Sequence, residues 1–395
     1  MDAQALQRRK FLSMGVSGVA AFAIGGLLKY QQALAAVPAG APFFSLNNIG
    51  DLLPPDENGI MLPPGFRSRV VARSGEPPIG SPGYTWHSAP DGGACFATDD
   101  GGWIYVSNSE IRSNGGGVGA LRFAANGDLV DAYSILKNTS INCAGGATPW
   151  QTWLSCEEFT VGQVYECDPF GVKPAIVRPA LGSFRHEAVA VDTLNDCLYL
   201  TEDAPDGGLY RFRPQNTLPD LTAGVLEIAS VTETNGSSYV GWHVVPDPLA
   251  RTTFTRRQVA ESYPFRGAEG IVMHDNKAYF STKRDNRVWC YDTASNQIEV
   301  IYDVETSSNP ILSGVDNVTI TPAGDVLVAE DRGNMQLIVL TPDDQVIPLL
   351  QIVGHEQSEI CGPAFDPSHQ RLYLSSQRGS LGVSAGGMTF EITSV

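Results

Sequence analysis

The stretch "INCAGGATPWQTWLSCEEFT", residues 141–160, sets one thiol, Cys143, in a glycine turn and two carboxylates, Glu157 and Glu158, at the far end of a short hairpin. A thiol and carboxylates brought to one point form a metal-ligand set. The bland alternative is packing: a small residue beside glycines, a Trp-rich turn and a solvated strand end. Further acids stand in similar settings: Asp91 in "APDGGACF", Glu187 in "FRHEAVAVD", Glu269 in "FRGAEGIVMHD", Asp316 in "GVDNVTITP" and Glu359 in "SEICGPAFDP". A lone acid before a strand is usually a solvated turn residue. Acids recurring at a fixed spacing around one axis are different. Packed together unpaired they would largely protonate, and bound cations relieve that. The chain has only six histidines, which disfavours a His-based zinc centre and leaves oxygen-rich sites for hard cations.

The elements that would position these residues recur. Six segments share an apolar β-rich run closed by polar residues: "WIYVSNSE" (103–110), "TWLSCEE" (152–158), "LYLTED" (198–203), "AYFSTKRD" (278–285), "VLVAED" (326–331) and "LYLSSQRG" (372–379). Starts taken at Ile104, Trp153, Leu198, Ala278, Val326 and Leu372 give intervals of 49, 45, 80, 48 and 46. Residues 215–262 fill the long interval and read as an inserted loop with one short helix. Turns rich in Asp, Asn and Gly follow most segments, as hairpins require. This period predicts an all-β fold, a six-bladed β-propeller of four-stranded antiparallel blades. A sandwich or jelly roll would not give so regular a spacing. The strand "GFRSRVVARSG" (65–75) is expected to pair with the last blade and close the ring. The upstream segments would then be the inner strands, and Asp91, Cys143, Glu187, Glu269, Asp316 and Glu359 would converge on one mouth of the channel.

The chain has 395 residues, 41 of them Gly and 26 Pro, with 17% charged, which fits short strands and tight turns. A net charge of −17 argues against a nucleic-acid partner. "QRRKFLSMG" places Arg8-Arg9 before Phe11-Leu12, an apolar stretch runs from Val16 to Leu28, and "ALA" at 33–35 resembles a signal-peptidase site. Residues 1–35 therefore read as a twin-arginine (Tat) export signal, 36–61 as an N-terminal extension and 62–395 as a single propeller domain. An uncleaved membrane anchor is disfavoured, because the apolar run is short and broken by glycines. Loss of the signal removes Arg8, Arg9, Lys10, Lys29 and Asp2, leaving −20. The expected location is periplasmic or extracellular, with the Tat machinery as an export partner and a monomer as the working form. Seven cysteines is an odd number, so at least one escapes intramolecular pairing. Cys143 is the candidate.

At these residues the sequence resembles the PhoX alkaline phosphatases, over about residues 62 to 380. "NCAGGATPWQTWLSCEE" carries the resemblance most specifically. "RHEAVAVD", "YLTEDAPDGGLYRF", "EGI", "VDNVTITPAGDVLVAED" and "SEICGPAFDP" follow in the family's order. The resemblance implies a six-bladed propeller whose channel holds calcium ions (Ca2+) and a pair of oxygen-bridged ferric ions (Fe3+), hydrolysing phosphomonoesters. Carried over by matching motif, Cys143 and Glu158 would be iron ligands, and Glu187, Glu269, Asp316 and Glu359 would complete the iron and calcium cage. One thiolate among carboxylates suits iron better than calcium.

Phosphoryl transfer asks a protein for charge neutralisation and in-line positioning. Arg185, Arg266 or Arg284 could hold the phosphate of a small phosphorylated organic substrate bidentately, and Arg185 and Arg266 are the catalytic candidates. Two departures from the family pattern stand out. "NSE" (108–110) replaces its usual Asn-His-Glu, leaving Asn108 and Glu110 without an assigned role. "FRGAEG" spaces Arg266 and Glu269 one residue wider than the usual Arg-x-Glu. Two other classes compete: a calcium-dependent propeller lactonase or esterase, which has no need of a thiolate, and a non-catalytic binding propeller.

Overall fold

The computed structural model describes residues 37–78 and 83–395, so the export signal read in residues 1–35 lies outside the described part. After β1 (Ile60–Met61) and β2 (Phe66–Arg73), the chain folds as successive antiparallel runs. The first is β3 (Pro90–Ala97), β4 (Trp103–Ser109), β5 (Gly116–Phe123) and β6 (Leu129–Thr139). The next is β7 (Asn142–Ala147), β8 (Trp153–Glu157), β9 (Val164–Cys167) and β10 (Ile176–Val177). Then come β11 (His186–Asp192), β12 (Cys197–Glu202), β13 (Leu209–Pro214), β14 (Gly224–Thr234) and β15 (Ser237–Val244). They are followed by β16 (Ala268–His274), β17 (Lys277–Thr282), β18 (Arg287–Asp292) and β19 (Gln297–Asp303). The last runs are β20 (Val315–Ile320), β21 (Val326–Glu330), β22 (Gln336–Leu340) and β23 (Val346–Ile352), then β24 (Ile360–Phe365), β25 (Arg371–Ser376) and β26 (Met388–Ser394).

The arrangement is an all-β, propeller-like one. The first strands of the runs touch in cyclic order, β3 to β7, β11, β16, β20, β24 and back to β3. Glycine permits this close approach. A Cβ on Gly92 would lie 2.5 Å from Cα of Ala144 in the neighbouring run, and one on Gly270 would lie 2.4 Å from the Val318 nitrogen. The ring closes as expected from sequence: β2 pairs with β26, from Phe66 opposite Ser394 to Arg73 opposite Met388.

The expectation of separate four-stranded sheets needs correction. Among the described residues, hydrogen bonding makes five sheets, of five, four, nine, four and four strands. The cause is the segment expected as an inserted loop. It contains β14 and an additional strand, β15, which pairs with β19 at Ser238–Ile298 and Tyr239–Gln297 and fuses two runs into the nine-stranded sheet. Asn235 and Gly236, both at positive φ, make the tight turn between β14 and β15. The short helix expected here is a single 3-10 turn, Thr255–Arg257. The five-stranded sheet arises because β1 adds to the edge of β23.

Apolar side chains fill the space between neighbouring sheets. One cluster joins Leu327, Leu337 and Leu350 to Leu372, Leu374 and Phe390 across such an interface. Each such buried side chain contributes on the order of 1.5–3 kcal/mol. Phe43, Leu46 and Ile60 of the N-terminal extension are buried in the same cluster, so that segment packs as part of the body. No helix among the described residues is long and apolar enough to cross a membrane.

Candidate metal centre

The inner strands share one irregularity. In each, the pairing to the second strand slips near its start: between Pro90 and Gly93, Asn142 and Gly145, His186 and Val189, Ala268 and Ile271, Val315 and Val318, and Cys361 and Ala364. A β-bulge re-aims the side chain that it frees from the ladder. The residues so released are Asp91, Cys143, Glu187, Glu269 and Asp316. In the last run the pair Ile360–Ser376 puts Cys361 at the equivalent position, so Glu359 stands one residue earlier than its motif suggested.

The register also defines a second set of positions, the residue just past the end of each second strand: Glu110, Glu158, Asp203, Lys283, Asp331 and Gln377. Two isolated bridges tie this set to the following run, Glu158 to Arg185 and Asp331 to Glu359. The adjacent glutamates of "CEE" thereby take different tasks. Glu157 accepts hydrogen bonds from the backbone N–H of Ser140 (2.9 Å) and Gln163 (3.2 Å) and holds the turn. Glu158 faces the site.

Acids and thiols at and beside these positions form four groups whose ligand atoms lie within 4.8 Å of one another: Cys143–Glu158–Glu187, Glu187–Glu269–Asp316, Asp316–Asp331–Glu359 and Asp91–Glu359–Cys361. All six metal-ligand candidates from sequence are thus brought together. Asp331 and Cys361 were not singled out. Asp331 carries a signal in the sequence, since it closes "VLVAED" where Asp203 closes "LYLTED". Cys143 Sγ lies 3.3 Å from Glu187 Oε1 and 3.8 Å from Asp91 Oδ2.

Burial and mutual repulsion push these groups away from their charged forms. Burial, with Glu269 and Asp316 nearby, raises Glu187 well above the usual carboxylate range, and burial with Asp91 and Glu187 does the same to the Cys143 thiol. Burial likewise lifts Glu158 to about 8, with Asp203 adding and Arg185 opposing. Glu187 is fully buried and its Oε2 has no hydrogen-bond partner. A buried carboxylate oxygen without a donor costs free energy that a cation would recover. The donor set of carboxylates and one thiol therefore fits metal cations.

Side chains in the preceding run hold the bulges in place. A bulge frees a buried carbonyl that needs a new donor. Asn108 gives its Nδ2 to the carbonyls of Cys143 (3.0 Å) and Ala144 (2.7 Å), while its Oδ1 accepts from Trp153 Nε1 and Ser155 Oγ, both at 2.9 Å. At the equivalent positions Thr201 donates to the Glu269 carbonyl (2.5 Å) and Ser281 to that of Asp316. Asn108, left without a role by sequence, positions the thiol. Glu110 accepts from Gln377 Nε2 at 2.8 Å.

Cations stand around the cage. Arg185 bridges Glu158 and lies 3.4 Å from Asp203, and Arg284 is 3.9 Å from the same Asp203. Arg266 is exposed, and among the described residues no ion pair or side-chain hydrogen bond ties down its guanidinium. Its place follows from the wider spacing in "FRGAEG": Gly267, not Arg266, occupies the position equivalent to Arg185. Lys283 Nζ lies 2.6 Å from Asp316, 3.3 Å from Asp331 and 3.5 Å from Glu269. Arg378 reaches Glu359 at 3.3 Å and Asp331 at 3.8 Å. All seven cysteines are free thiols, so Cys143 is not alone in that state.

Residues 124–310 and 271–379 match the family described as alkaline phosphatase PhoX. No curated protein sequence matches the chain. Among solved structures, PhoX of Pseudomonas fluorescens, in complex with vanadate as a transition-state analogue, superposes with a TM-score of 0.72 at 16% identity, covering 88% of this chain and 98% of that one. A protein of unknown function from Bacteroides thetaiotaomicron superposes with a TM-score of 0.51 at 10% identity, covering 83% and 76%. At these identities the likeness is one of fold.

Proposed function

The chain belongs to the alkaline phosphatase PhoX family and is a metal-dependent phosphatase, and from that premise we propose that it hydrolyses small phosphate monoesters at a cage of iron and calcium built on Cys143, Glu158, Glu187, Glu269, Asp316 and Glu359. The observation that carries this reading is the Cys143 corner, where a thiol sits 3.3 Å from a buried glutamate whose other oxygen has no donor. When bound, such ions supply a positive field for the phosphate oxygens and an activated nucleophile. The chain's own part is to place ligands and orient the ester. Glu187 and Glu158 fix the thiol's side of the cage. Arg185, held by Glu158 and Asp203, directs its guanidinium to the rim, where it would clamp two phosphate oxygens. Arg284, sharing Asp203, is a better-placed second clamp than Arg266.

The cyclic contacts of the inner strands support a count of six blades, two of them fused through β15. Export through the Tat route to the periplasm or beyond, a monomeric state and a single domain over 62–395 remain part of this proposal. The family membership favours phosphate esters over the lactone and binding-propeller alternatives.

The test is Cys143→Ser against Cys156→Ser. Cys156 is buried in the same hairpin within an apolar cluster and belongs to none of the four ligand groups. Iron content and turnover should fall together in the first variant, by more than the roughly 10–100-fold typical of changes outside the ligand shell. The second should retain both. Equal and small effects from the two substitutions would sink the proposal.

A further inference from the structure

Five of the six positions just past the second strands are acidic or amide: Glu110, Glu158, Asp203, Asp331 and Gln377. The remaining one is Lys283. Its side chain is half-buried, and its ammonium lies 2.6 Å from Asp316, 3.3 Å from Asp331 and 3.5 Å from Glu269. Asp316 and Asp331 belong, with Glu359, to one of the four groups whose oxygens lie close enough to share a cation.

We propose that Lys283 is a resident cation of the cage, its ammonium taking the place among Glu269, Asp316 and Asp331 that a divalent ion would otherwise take, so that external metal is concentrated on the Cys143 side. The inference rests on the metal-site reading above and extends it to how the charge of this chain's cage is shared between protein and metal. Two observations carry it. Around Lys283 the carboxylates already have a cation: Asp316 is ion-paired with Lys283, while Glu359 pairs with Arg378. On the Cys143 side, Glu187 Oε2 is buried with neither a donor nor a cation against it, whereas Glu269 Oε1 and Asp331 Oδ1, which also lack hydrogen bonds, lie 3.5 Å from Lys283 and 3.8 Å from Arg378. An ammonium and a calcium ion compete for the same oxygens, because each is satisfied by several carboxylate contacts converging on one point.

The consequence is a number that can be counted. Lys283→Met keeps the length of the stem and removes the charge, leaving three converging carboxylates for a divalent ion. Elemental analysis of the full-length variant, equilibrated with calcium and desalted, should show about one more calcium ion per chain than the parent, with iron unchanged. Lys283→Arg restores the charge and should return the parent's calcium content. Calorimetric titration with calcium should show the added site in the Met variant alone. Equal or lower calcium binding by Lys283→Met than by the parent overturns the proposal. If that variant folds only when calcium is present, its recovery on adding calcium supports the exchange, and failure to recover overturns it. The outcome is separable from the reading beneath it. A parent without iron whose Lys283→Met variant still gains calcium would refute the Cys143 assignment alone. Iron in both with no calcium gained would refute only the role of Lys283.

Discussion

Two bridges occupy the same place in different repeats and treat charge in opposite ways. Each joins the residue past a second strand to the residue before the next inner bulge. In one, Glu158 meets Arg185, an acid against a base. In the other, Asp331 meets Glu359, an acid against an acid, and Arg378 and Lys283 are brought in from elsewhere to hold them. Burial and the Asp331 charge raise Glu359 well above the usual carboxylate range, whereas Asp331, although burial opposes it, is kept low by Lys283. The backbone repeat thus fixes where a side chain stands, and the residue placed there decides whether the chain or an external ion balances it.

The largest effect expected from breaking this contrast is at Glu158. Glu158→Gln removes a charge from the group that holds Cys143 and Glu187, and turnover should fall by more than about 100-fold with loss of iron. Glu359→Gln removes a ligand on the side of the cage where Arg378 and Lys283 already supply charge, and a smaller fall, of about 10–100-fold, is expected. Parallel assays and metal analyses of the two variants check the asymmetry; equal losses would erase it.

Arg185→Glu makes the first bridge resemble the second without supplying a lysine. A charged hydrogen bond to the ester is worth about 1.5–3 kcal/mol, so KM should rise about tenfold or more. The complementary change, Glu359→Arg, leaves the Arg185 clamp in place, so KM should rise less than in Arg185→Glu. Steady-state kinetics on an aryl phosphate would decide between them.

Smaller effects come from the side chains that fix the bulges. Asn108→Ala leaves two carbonyls, an indole N–H and a serine hydroxyl without their partner, and should cost about 2–4 kcal/mol in denaturant unfolding. Thr201→Val removes the donor to the Glu269 carbonyl and should cost about 1 kcal/mol. If the order is reversed, the thiol is positioned by something other than Asn108.

Much of this was legible in sequence because repetition is legible. The apolar runs closed by polar residues became second strands, and their upstream partners became inner strands, since alternation and turn chemistry are local properties. The link between β2 and β26 could be anticipated because a ring needs an otherwise unpaired strand. What escaped depends on register. A bulge cannot be seen in a string of residues, so Glu359 was aligned with Glu187 although it stands where Arg185 stands, and Cys361 went unnoticed as the true equivalent. The segment 215–262 reads as a loop because its length breaks the period, yet "SVTETNGSSYV" carries an Asn-Gly turn between alternating strands. Lys283 and Arg378 stand at the ends of second strands, where a charge is commonplace. Only the neighbouring carboxylates, distant in sequence, give them a task.

The closing ladder between β2 and β26 has a consequence for biosynthesis. Phe66 is made early and must wait for Ser394 before its strand gains a partner. During synthesis the edges of β2 and β25 both stay open, and exposed edges invite association with other chains. A nascent or truncated chain therefore lacks the final seam, and with it the neighbour that brings Cys361 and Glu359 against Asp91. That corner joins the first and last runs of the ring, so it forms only once both have been made and have met.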